Sequence, residues 1–168
     1  MIRIAREDDW AAIPEIHRVA FGAEGDNVAR IAQELHDRPD LHEPDLSFAA
    51  EEDGIVVGHV MNTWSEIERS TARVLQFSPL GVLPDYQRRG HGSALVRASL
   101  DAARARGEPA LVLEGNPNFY ARFGFVRADE LGLLPPPEGH APSFQVAILD
   151  PDAELPQGRV VYSEPFRH

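Results

Sequence analysis

The sequence contains no cysteine among its 168 residues, and this absence removes several kinds of chemistry at once. Disulfide bonds, thiolate metal sites and a cysteine nucleophile are all excluded. Long apolar runs are lacking as well, since no stretch approaches the roughly 18–20 residues that a membrane-spanning helix needs. The first ten residues include Glu7, Asp8 and Asp9 in a row, which do not suit the apolar core of a signal peptide. We therefore expect a cytoplasmic protein with no membrane partner.

Basic residues are scarce too. Lysine and arginine together number 16 against 27 aspartates and glutamates, which gives a formal net charge of -11. Nucleic-acid binding without sequence preference depends on clustered basic side chains that neutralise phosphates, so this balance argues against it. An acidic surface attracts cationic ligands such as amines, although it also serves solubility alone. Against this background, the two arginines beside two glycines at residues 88–92 are unusual.

The composition is otherwise that of an ordinary globular domain. Hydrophobic residues make up 43% of the chain and charged residues 26%. A chain of this length is large enough to bury a core without the help of disulfides or metal ions. We expect a single domain that covers residues 1–168.

The spacing of apolar residues predicts a mixed α/β fold. The predicted strands cover residues 1–5, 46–52, 55–64, 72–83, 110–114, 144–149 and 159–162. A first helix is predicted to begin near Asp8 or Asp9, and further helices cover residues 27–36, 90–106 and 118–123. Asp53-Gly54 is a strong hairpin signal between the second and third strands. Two prolines should disturb this pattern: Pro14 delays or bends the first helix, and Pro79 introduces a bulge or a frayed edge in the fourth strand.

The segment Gln87-Arg88-Arg89-Gly90-His91-Gly92 carries the clearest chemical signal, because it connects a strand to the start of a long helix. The first backbone N–H groups of a helix and the helix dipole together form an anion site. The two glycines let the backbone approach phosphate oxygens, the two arginines add positive charge, and Ser93 supplies a hydroxyl. This arrangement predicts a pyrophosphate site.

Two commoner phosphate motifs do not fit the same segment. The P-loop needs four residues between its glycines and a following Lys-Ser/Thr, and the chain has no such run. The dinucleotide-binding pattern G-x-G-x-x-G needs a third glycine where Leu95 stands. From these residues alone, a glycine-rich helix start with surface arginines and no ligand also stays open.

The same segment resembles the Q/R-x-x-G-x-G/A signature of the GNAT superfamily of acyl-CoA-dependent N-acyltransferases. The preceding residues 82–86 resemble the end of that fold's fourth strand. Residues 119–125, Phe-Tyr-Ala-Arg-Phe-Gly-Phe, resemble its second motif, in which a tyrosine precedes a Gly-Phe pair by four residues. Together with Pro79-Leu80 and Phe144-Gln145, this run is similar to a poorly characterised bacterial branch of predicted N-acetyltransferases. The order of elements fits the family from Met1 to about Leu149.

The resemblance implies a GNAT-like fold of the α/β class, with an α+β mixed sheet. The central sheet is expected to be mostly antiparallel, with splayed fourth and fifth strands and helices on its flanks. The pantetheine arm of acetyl-CoA would lie in the gap between those strands, bonded to their backbone. The residues that would hold the cosubstrate by this carry-over are Leu80, Val82, Gln87, Arg88, Arg89, Gly90, His91, Gly92 and Ser93.

The resemblance also implies a route for the chemistry. Tyr120 would protonate the departing CoA thiolate, since a phenol with a pKa near 10 is protonated at neutral pH. The alternative for this tyrosine is a core aromatic beside neighbouring phenylalanines. A backbone N–H such as that of Val82 would polarise the thioester carbonyl. Glu114 is the catalytic candidate for the base, while three other residues or a chain of waters stay open. Those other residues are His59, Glu66 and Glu68.

We therefore predict an N-acetyltransferase that moves an acetyl group from acetyl-CoA to a primary amine of a small molecule or a peptide or protein. A non-catalytic acyl-CoA-binding sensor or regulatory module is the alternative from another class. A plain anion-binding domain is a third reading. Neither a nucleic acid, nor a membrane, nor a metal ion is expected as a partner, and a homodimer is left open because dimers are common in such families.

Overall fold

The computed structural model describes residues 1–167, which form two compact units. The first unit combines Met1–Thr63 with Phe77–Ser99, and the second combines Trp64–Gln76 with the chain from Leu100 onward. The strands are β1 (Ile2–Ile4), β2 (Phe48–Glu52), β3 (Ile55–Ile67), β4 (Arg73–Val82), β5 (Ala110–Glu114), β6 (Val126–Arg127), β7 (Leu133–Leu134), β8 (Phe144–Ile148) and β9 (Gly158–Val161). The α-helices are α1 (Ile13–Ala20), α2 (Gly25–His36), α3 (His91–Ala105) and α4 (Pro117–Tyr120).

The first unit is built on strands in the order β1-β2-β3-β4. β1 pairs antiparallel with β2, and β2 pairs antiparallel with β3. The hairpin between β2 and β3 turns at Asp53 and Gly54, whose φ angles are 54° and 78°. Positive φ at both central residues is the geometry that an Asp-Gly hairpin turn requires, so the predicted hairpin is confirmed.

The helices of this unit begin where proline allows them to. Residues Glu7–Ala11 form a 3-10 turn, and α1 begins only at Ile13, with Pro14 in its first turn. Proline is tolerated there because the first N–H groups of a helix have no partner inside it. The late start is one of the two outcomes predicted for Pro14. α1 packs against α2 and buries Ile13 and Ile16.

The second unit is built on strands in the order β4-β5-β8-β6, with β9 paired to both β3 and β7. β5 and β8 pair antiparallel along their whole length, from Ala110 with Ile148 to Glu114 with Phe144. β4 and β5 pair in parallel at only two positions, Leu75 with Leu111 and Gln76 with Val112. The core of the unit contains these buried apolar residues: Ile67, Val74, Ala110, Val112, Ala128, Leu133, Phe144, Val146 and Val160.

The predicted fold class is confirmed. β1 with β2, β2 with β3, β3 with β9, β5 with β8 and β6 with β8 pair antiparallel, while β4 with β5 and β7 with β9 pair in parallel. Helices accompany the strands. β4 continues through Pro79 to Val82. It pairs with β5 at only two positions, as expected for two strands that splay apart. Two short strands, β6 and β7, were not predicted, because two residues are too few to show an alternation.

Neither a membrane span nor a metal cluster is found in the described residues. No helix in residues 1–167 is long and apolar enough to cross a bilayer. In the same range, no group of three or more His, Asp or Glu side chains is placed to hold a metal ion.

Candidate active site

The glycine-containing loop of the first unit connects β4 to α3. The chain leaves β4 at Val82, makes a 3-10 turn at Pro84–Tyr86 and enters α3 at His91. The Gln87 side-chain amide donates a hydrogen bond to the Val82 carbonyl oxygen over 2.9 Å. Gln87, predicted as a cosubstrate contact, thus ties the loop to the end of the strand. This bond fixes where the helix begins relative to β4.

The loop is open beside its two glycines. A Cβ atom added at Gly90 or at Gly92 would meet no other atom within 4 Å. Gly90 has a φ of 88°, which favours glycine, whereas Gly92 lies in α3. The first N–H groups of α3 have no acceptor within the helix, and the helix dipole places partial positive charge there. Open space beside such donors is what a phosphate group needs.

Two arginines and a histidine of this segment differ in their surroundings. Arg89 forms an ion pair with Glu52 over 2.9 Å and lies 5.0 Å from the centre of the Tyr86 ring. His91 Nε2 is buried, lies 3.7 Å from Glu52 and has no hydrogen-bond partner among the described residues. Arg88 is exposed. Glu52 therefore neutralises part of the charge of Arg89, and Arg88 presents its guanidinium to solvent at the same loop.

Tyr120 is positioned in the second unit by a short capped helix. The Asn116 side chain accepts a hydrogen bond from the N–H of Asn118 over 3.0 Å, which caps the start of α4. After Tyr120, a 3-10 turn ends at Gly124, whose φ is 90°. The Tyr120 ring contacts Phe119 and Phe125 edge-on, with ring centres 4.8 Å and 5.7 Å away. Burial raises the pKa of Tyr120 to about 12, so its phenol is protonated at neutral pH.

Tyr120 lies directly against the end of β5. A Cβ atom added at Gly115 would be 2.7 Å from Cε2 of the Tyr120 ring, so no larger residue fits there without a shift. Glu114 is the residue before this glycine and the last residue of β5. The structure therefore brings the two predicted catalytic residues, Tyr120 and Glu114, to the same strand end.

Glu114 is exposed and held by a tyrosine from the C-terminal part of the chain. The Tyr162 hydroxyl donates a hydrogen bond to Oε1 of Glu114 over 3.2 Å. Burial, and then the negative charge of Glu114, raise the pKa of Tyr162, so this tyrosine acts as a hydrogen-bond donor at neutral pH. The carboxylate is therefore oriented while it is still accessible to solvent.

His59 is placed very differently. It is fully buried in the first unit, where its Nδ1 lies 2.9 Å from His17 Nε2 and its Nε2 lies 2.9 Å from the Ser47 hydroxyl. Burial holds the pKa of His59 well below its usual range, and the neighbouring histidines lower it further. His59 is therefore neutral and its two ring nitrogens are both occupied.

The remaining two candidate bases lie near the end of β3. Glu66 is exposed, and its backbone pairs with Val161 of β9. Glu68 is exposed and lies 3.9 Å from Arg159. Their positions thus give neither residue the orienting hydrogen bond that Glu114 receives.

The sequence did not point to Tyr162 or to the histidine pair. Tyr162 is 48 residues from Glu114, so no local spacing connects the two. His17 lies on the apolar face of α1, and a polar residue on a buried face is a signal that it has a partner inside. The identity of that partner depends on the pairing of distant strands.

The model of the acetyltransferase (GNAT) family matches residues 10–125, which contain both the 87–92 and the 119–125 motifs. YhbS of Escherichia coli (strain K12), described as an uncharacterized N-acetyltransferase, is 30% identical over 99% of this chain and 98% of its own. YjhQ of the same strain, described in the same words, is 28% identical over 96% of this chain and 91% of its own.

Solved structures give the same result. The crystal structure of YhbS from Escherichia coli, in complex with CoA, superposes with a TM-score of 0.90 at 29% identity, over 100% of this chain and 92% of that one. The crystal structure of a GNAT family acetyltransferase from Brucella melitensis, in complex with acetyl-CoA, superposes with a TM-score of 0.80 at 30% identity, over 99% of this chain and 97% of that one. Family model, sequence relatives and fold agree with the two motifs, and the chain belongs to the GNAT family of acetyltransferases.

Proposed function

We propose that this chain is a cytoplasmic N-acetyltransferase that transfers an acetyl group from acetyl-CoA to a primary amine of a small molecule or a peptide. Family membership supports acetyl transfer. The structures of the two similar proteins, solved with CoA and with acetyl-CoA, support acetyl-CoA as the cosubstrate. The net charge of -11 supports a cationic acceptor.

The observation that carries this proposal is the open start of α3. Gly90 and Gly92 leave free space beside backbone N–H donors, and Arg88 and Arg89 add positive charge. These features match the two negative charges of a pyrophosphate. We assign the pyrophosphate of acetyl-CoA to residues 87–93 and the pantetheine arm to the backbone of Leu80 and Val82.

We assign the chemical steps to the residues at the end of β5. Glu114 takes a proton from the acceptor ammonium, directly or through a water molecule, which leaves a neutral amine. The amine nitrogen attacks the thioester carbon, and a backbone N–H such as that of Val82 stabilises the oxyanion. The C–S bond then breaks, and Tyr120 donates its proton to the departing thiolate. The resulting phenolate of Tyr120 takes the remaining extra proton from the nitrogen of the new amide, directly or through a water molecule, which restores the phenol. The raised pKa of Tyr120 supports this role, because the proton is present when it is needed.

Calorimetric titration with acetyl-CoA tests the proposal, with CoA and ATP as comparisons. We expect micromolar binding of acetyl-CoA and of CoA and no binding of ATP. Release of the CoA thiol in the presence of a panel of primary amines then measures turnover. A protein that is free of carried-over CoA and does not bind acetyl-CoA contradicts the proposal. Binding without turnover of any amine would favour the non-catalytic acyl-CoA sensor instead.

A further inference from the structure

Gln145 is a buried polar side chain in β8, and no role has been assigned to it so far. The residue is 2% exposed, and its neighbours in the strand, Phe144 and Val146, belong to the apolar core of the second unit. A polar group that is buried without a hydrogen-bond partner is costly, so a glutamine at such a position needs partners for its amide. The partners of this amide therefore indicate what the side chain does.

The amide nitrogen of Gln145 donates to two main-chain carbonyl groups. Nε2 lies 3.1 Å from the carbonyl oxygen of Gly115 and 3.1 Å from that of Ser143. The NH₂ group is the only part of the side chain that can donate to two carbonyl oxygens, so the partners fix the orientation of the amide. The N–H of Gly115 in turn donates to the Ser143 carbonyl oxygen over 3.0 Å. The N–H and the carbonyl group of Gly115 are thus both held, the second of them by the Gln145 side chain.

Gly115 needs this support because it is a glycine. The Tyr120 ring leaves no room for a larger residue there, since an added Cβ would be 2.7 Å from Cε2 of the ring. Glycine, however, can adopt a wider range of backbone conformations than any other residue. The carbonyl group of Gly115 belongs to the planar peptide that leads to Asn116, so a hydrogen bond to this oxygen fixes the plane of that peptide. Gln145 therefore removes the backbone freedom that the close approach of the ring makes unavoidable.

Asn116 connects this peptide to Tyr120. Its carbonyl oxygen accepts the N–H of Phe119 over 3.1 Å and the N–H of Tyr120 over 3.2 Å. Its side chain caps α4 by accepting the N–H of Asn118. α4 has only four residues, and so short a helix has little stability of its own. Its orientation therefore follows the residue that caps it, and a rotation of the peptide between Gly115 and Asn116 moves the Tyr120 ring.

We propose that Gln145 is a positioning residue for the acid step, because it holds the peptide between Gly115 and Asn116 and thereby fixes the place of the Tyr120 hydroxyl. The inference rests on the proposed acetyltransferase function and adds a residue to it. A general acid must lie within hydrogen-bond reach of the atom that it protonates. A displacement of about 1 Å can lower the rate about 10²-fold. Gln145 therefore acts on kcat and leaves the binding of acetyl-CoA unchanged.

A double-mutant cycle tests whether Gln145 acts through Tyr120. Gln145→Leu removes both hydrogen bonds and keeps a side chain of similar size. We expect kcat to fall about tenfold, while the Kd of acetyl-CoA changes less than about twofold. In the Tyr120→Phe protein, the same substitution should lower kcat less than about twofold, because the two residues serve one step. An unchanged kcat in the single variant would overturn the inference, and so would an equal loss of kcat with and without the Tyr120 hydroxyl.

Gln76→Leu is the matched control for this cycle. Gln76 is another buried glutamine of the second unit, 3% exposed, and its Oε1 accepts a hydrogen bond from the Ser65 hydroxyl over 2.9 Å. Gln145→Leu and Gln76→Leu each lose hydrogen bonds of a buried amide, so both should lower the melting temperature. Only Gln145→Leu should lower kcat. Equal losses of kcat in the two variants would mean that loss of stability is the cause, which contradicts a positioning role.

Fluorine NMR measures the position of the ring without any turnover. The chain has three tyrosines, so labelling with fluorotyrosine gives three signals, and the one missing in Tyr120→Phe belongs to Tyr120. Gln145→Leu should shift this signal, and Gln76→Leu should leave it in place. An unshifted signal in Gln145→Leu would overturn the inference whether or not the protein acetylates an amine. A lack of turnover with every amine, in a protein whose Tyr120 signal does shift, would contradict the proposed function and with it the catalytic role of Gln145.

Discussion

Two of the candidate bases, His59 in the first unit and Glu114 in the second, have opposite environments. His59 is fully buried and has both ring nitrogens engaged, one by His17 and one by Ser47. Glu114 is exposed at the end of β5 and receives its hydrogen bond from a single tyrosine. The comparison shows that a titratable group in a suitable strand is not enough for catalysis. A base must also be accessible to the proton that it removes.

The largest loss is expected from Tyr120, the proposed general acid in the second unit. Tyr120→Phe removes the proposed proton donor but keeps the ring that packs against Gly115. We expect kcat to fall by about 10³-fold, within the range of general acid catalysis. The Kd of acetyl-CoA, measured by calorimetry, should change less than twofold. Activity equal to that of the unchanged protein would leave Tyr120 as a packing residue only.

A direct test of the comparison replaces each candidate base in turn. Glu114→Gln should lower kcat about 10²-fold without a loss of stability, because the side chain is exposed and its shape is kept. His59→Gln should instead lower the melting temperature, because it breaks a buried pair of hydrogen bonds. Its kcat per folded molecule should stay within about threefold. Thiol-release kinetics measures kcat, and thermal unfolding measures the melting temperature, for both variants. A large loss of kcat in His59→Gln, with kcat retained in Glu114→Gln, would make His59 the base.

The buried histidines should also set the acid stability of the protein. Burial lowers the pKa of His17 from 6.5 to about 4. Between these values the unfolded chain binds a proton that the folded chain does not, so the free energy of unfolding should decrease as the pH falls. The slope for one such histidine is about 1.4 kcal/mol per pH unit. Urea unfolding between pH 7 and pH 4 measures it.

A matched pair of variants identifies the source of that slope. His17→Gln should flatten the pH dependence, although it lowers the stability at pH 7. His140→Gln is the matched control, because the His140 side chain is exposed. An equal slope in all three proteins would show that the histidine pair does not control acid stability.

The smallest expected effect concerns the first turn of α3. Gly92→Leu places a side chain in the open space that we assign to the pyrophosphate, and we expect about a tenfold weaker Kd for acetyl-CoA, in line with the loss of one charge-assisted hydrogen bond. The melting temperature should change little, because the added Cβ meets no atom within 4 Å. Gly92→Ala should give an intermediate Kd. Unchanged affinity in both variants would contradict the pyrophosphate assignment.

Local signals in the sequence predicted much of the fold. β5 has the predicted bounds. The ends of α3 agree with the prediction to within one residue, because a glycine flanks the helix on each side. The Asp53-Gly54 turn and the late start of α1 follow from the backbone preferences of single residues. β6 and β7 depend on their partner strands for their geometry, and no pattern of two residues could reveal them.

The candidate site was predicted less completely than the fold, for a physical reason. The 87–92 and 119–125 motifs are contiguous, so they can be read from the sequence alone. The hydrogen bond between Tyr162 and Glu114, and the one between His17 and His59, each join residues more than 40 positions apart. Only the pairing of strands and the packing of α1 bring these side chains together.

The backbone conformation of Arg88 opposes stability to the proposed cosubstrate binding at this position. Its φ of 64° lies in the left-handed region, where a residue with a side chain is less stable than glycine by roughly 1–2 kcal/mol. Selection for heat tolerance therefore favours glycine at this position, whereas the proposed contact with the pyrophosphate favours the guanidinium. In a laboratory evolution experiment under thermal stress, position 88 is where a gain in robustness should first be accompanied by a loss of catalytic efficiency.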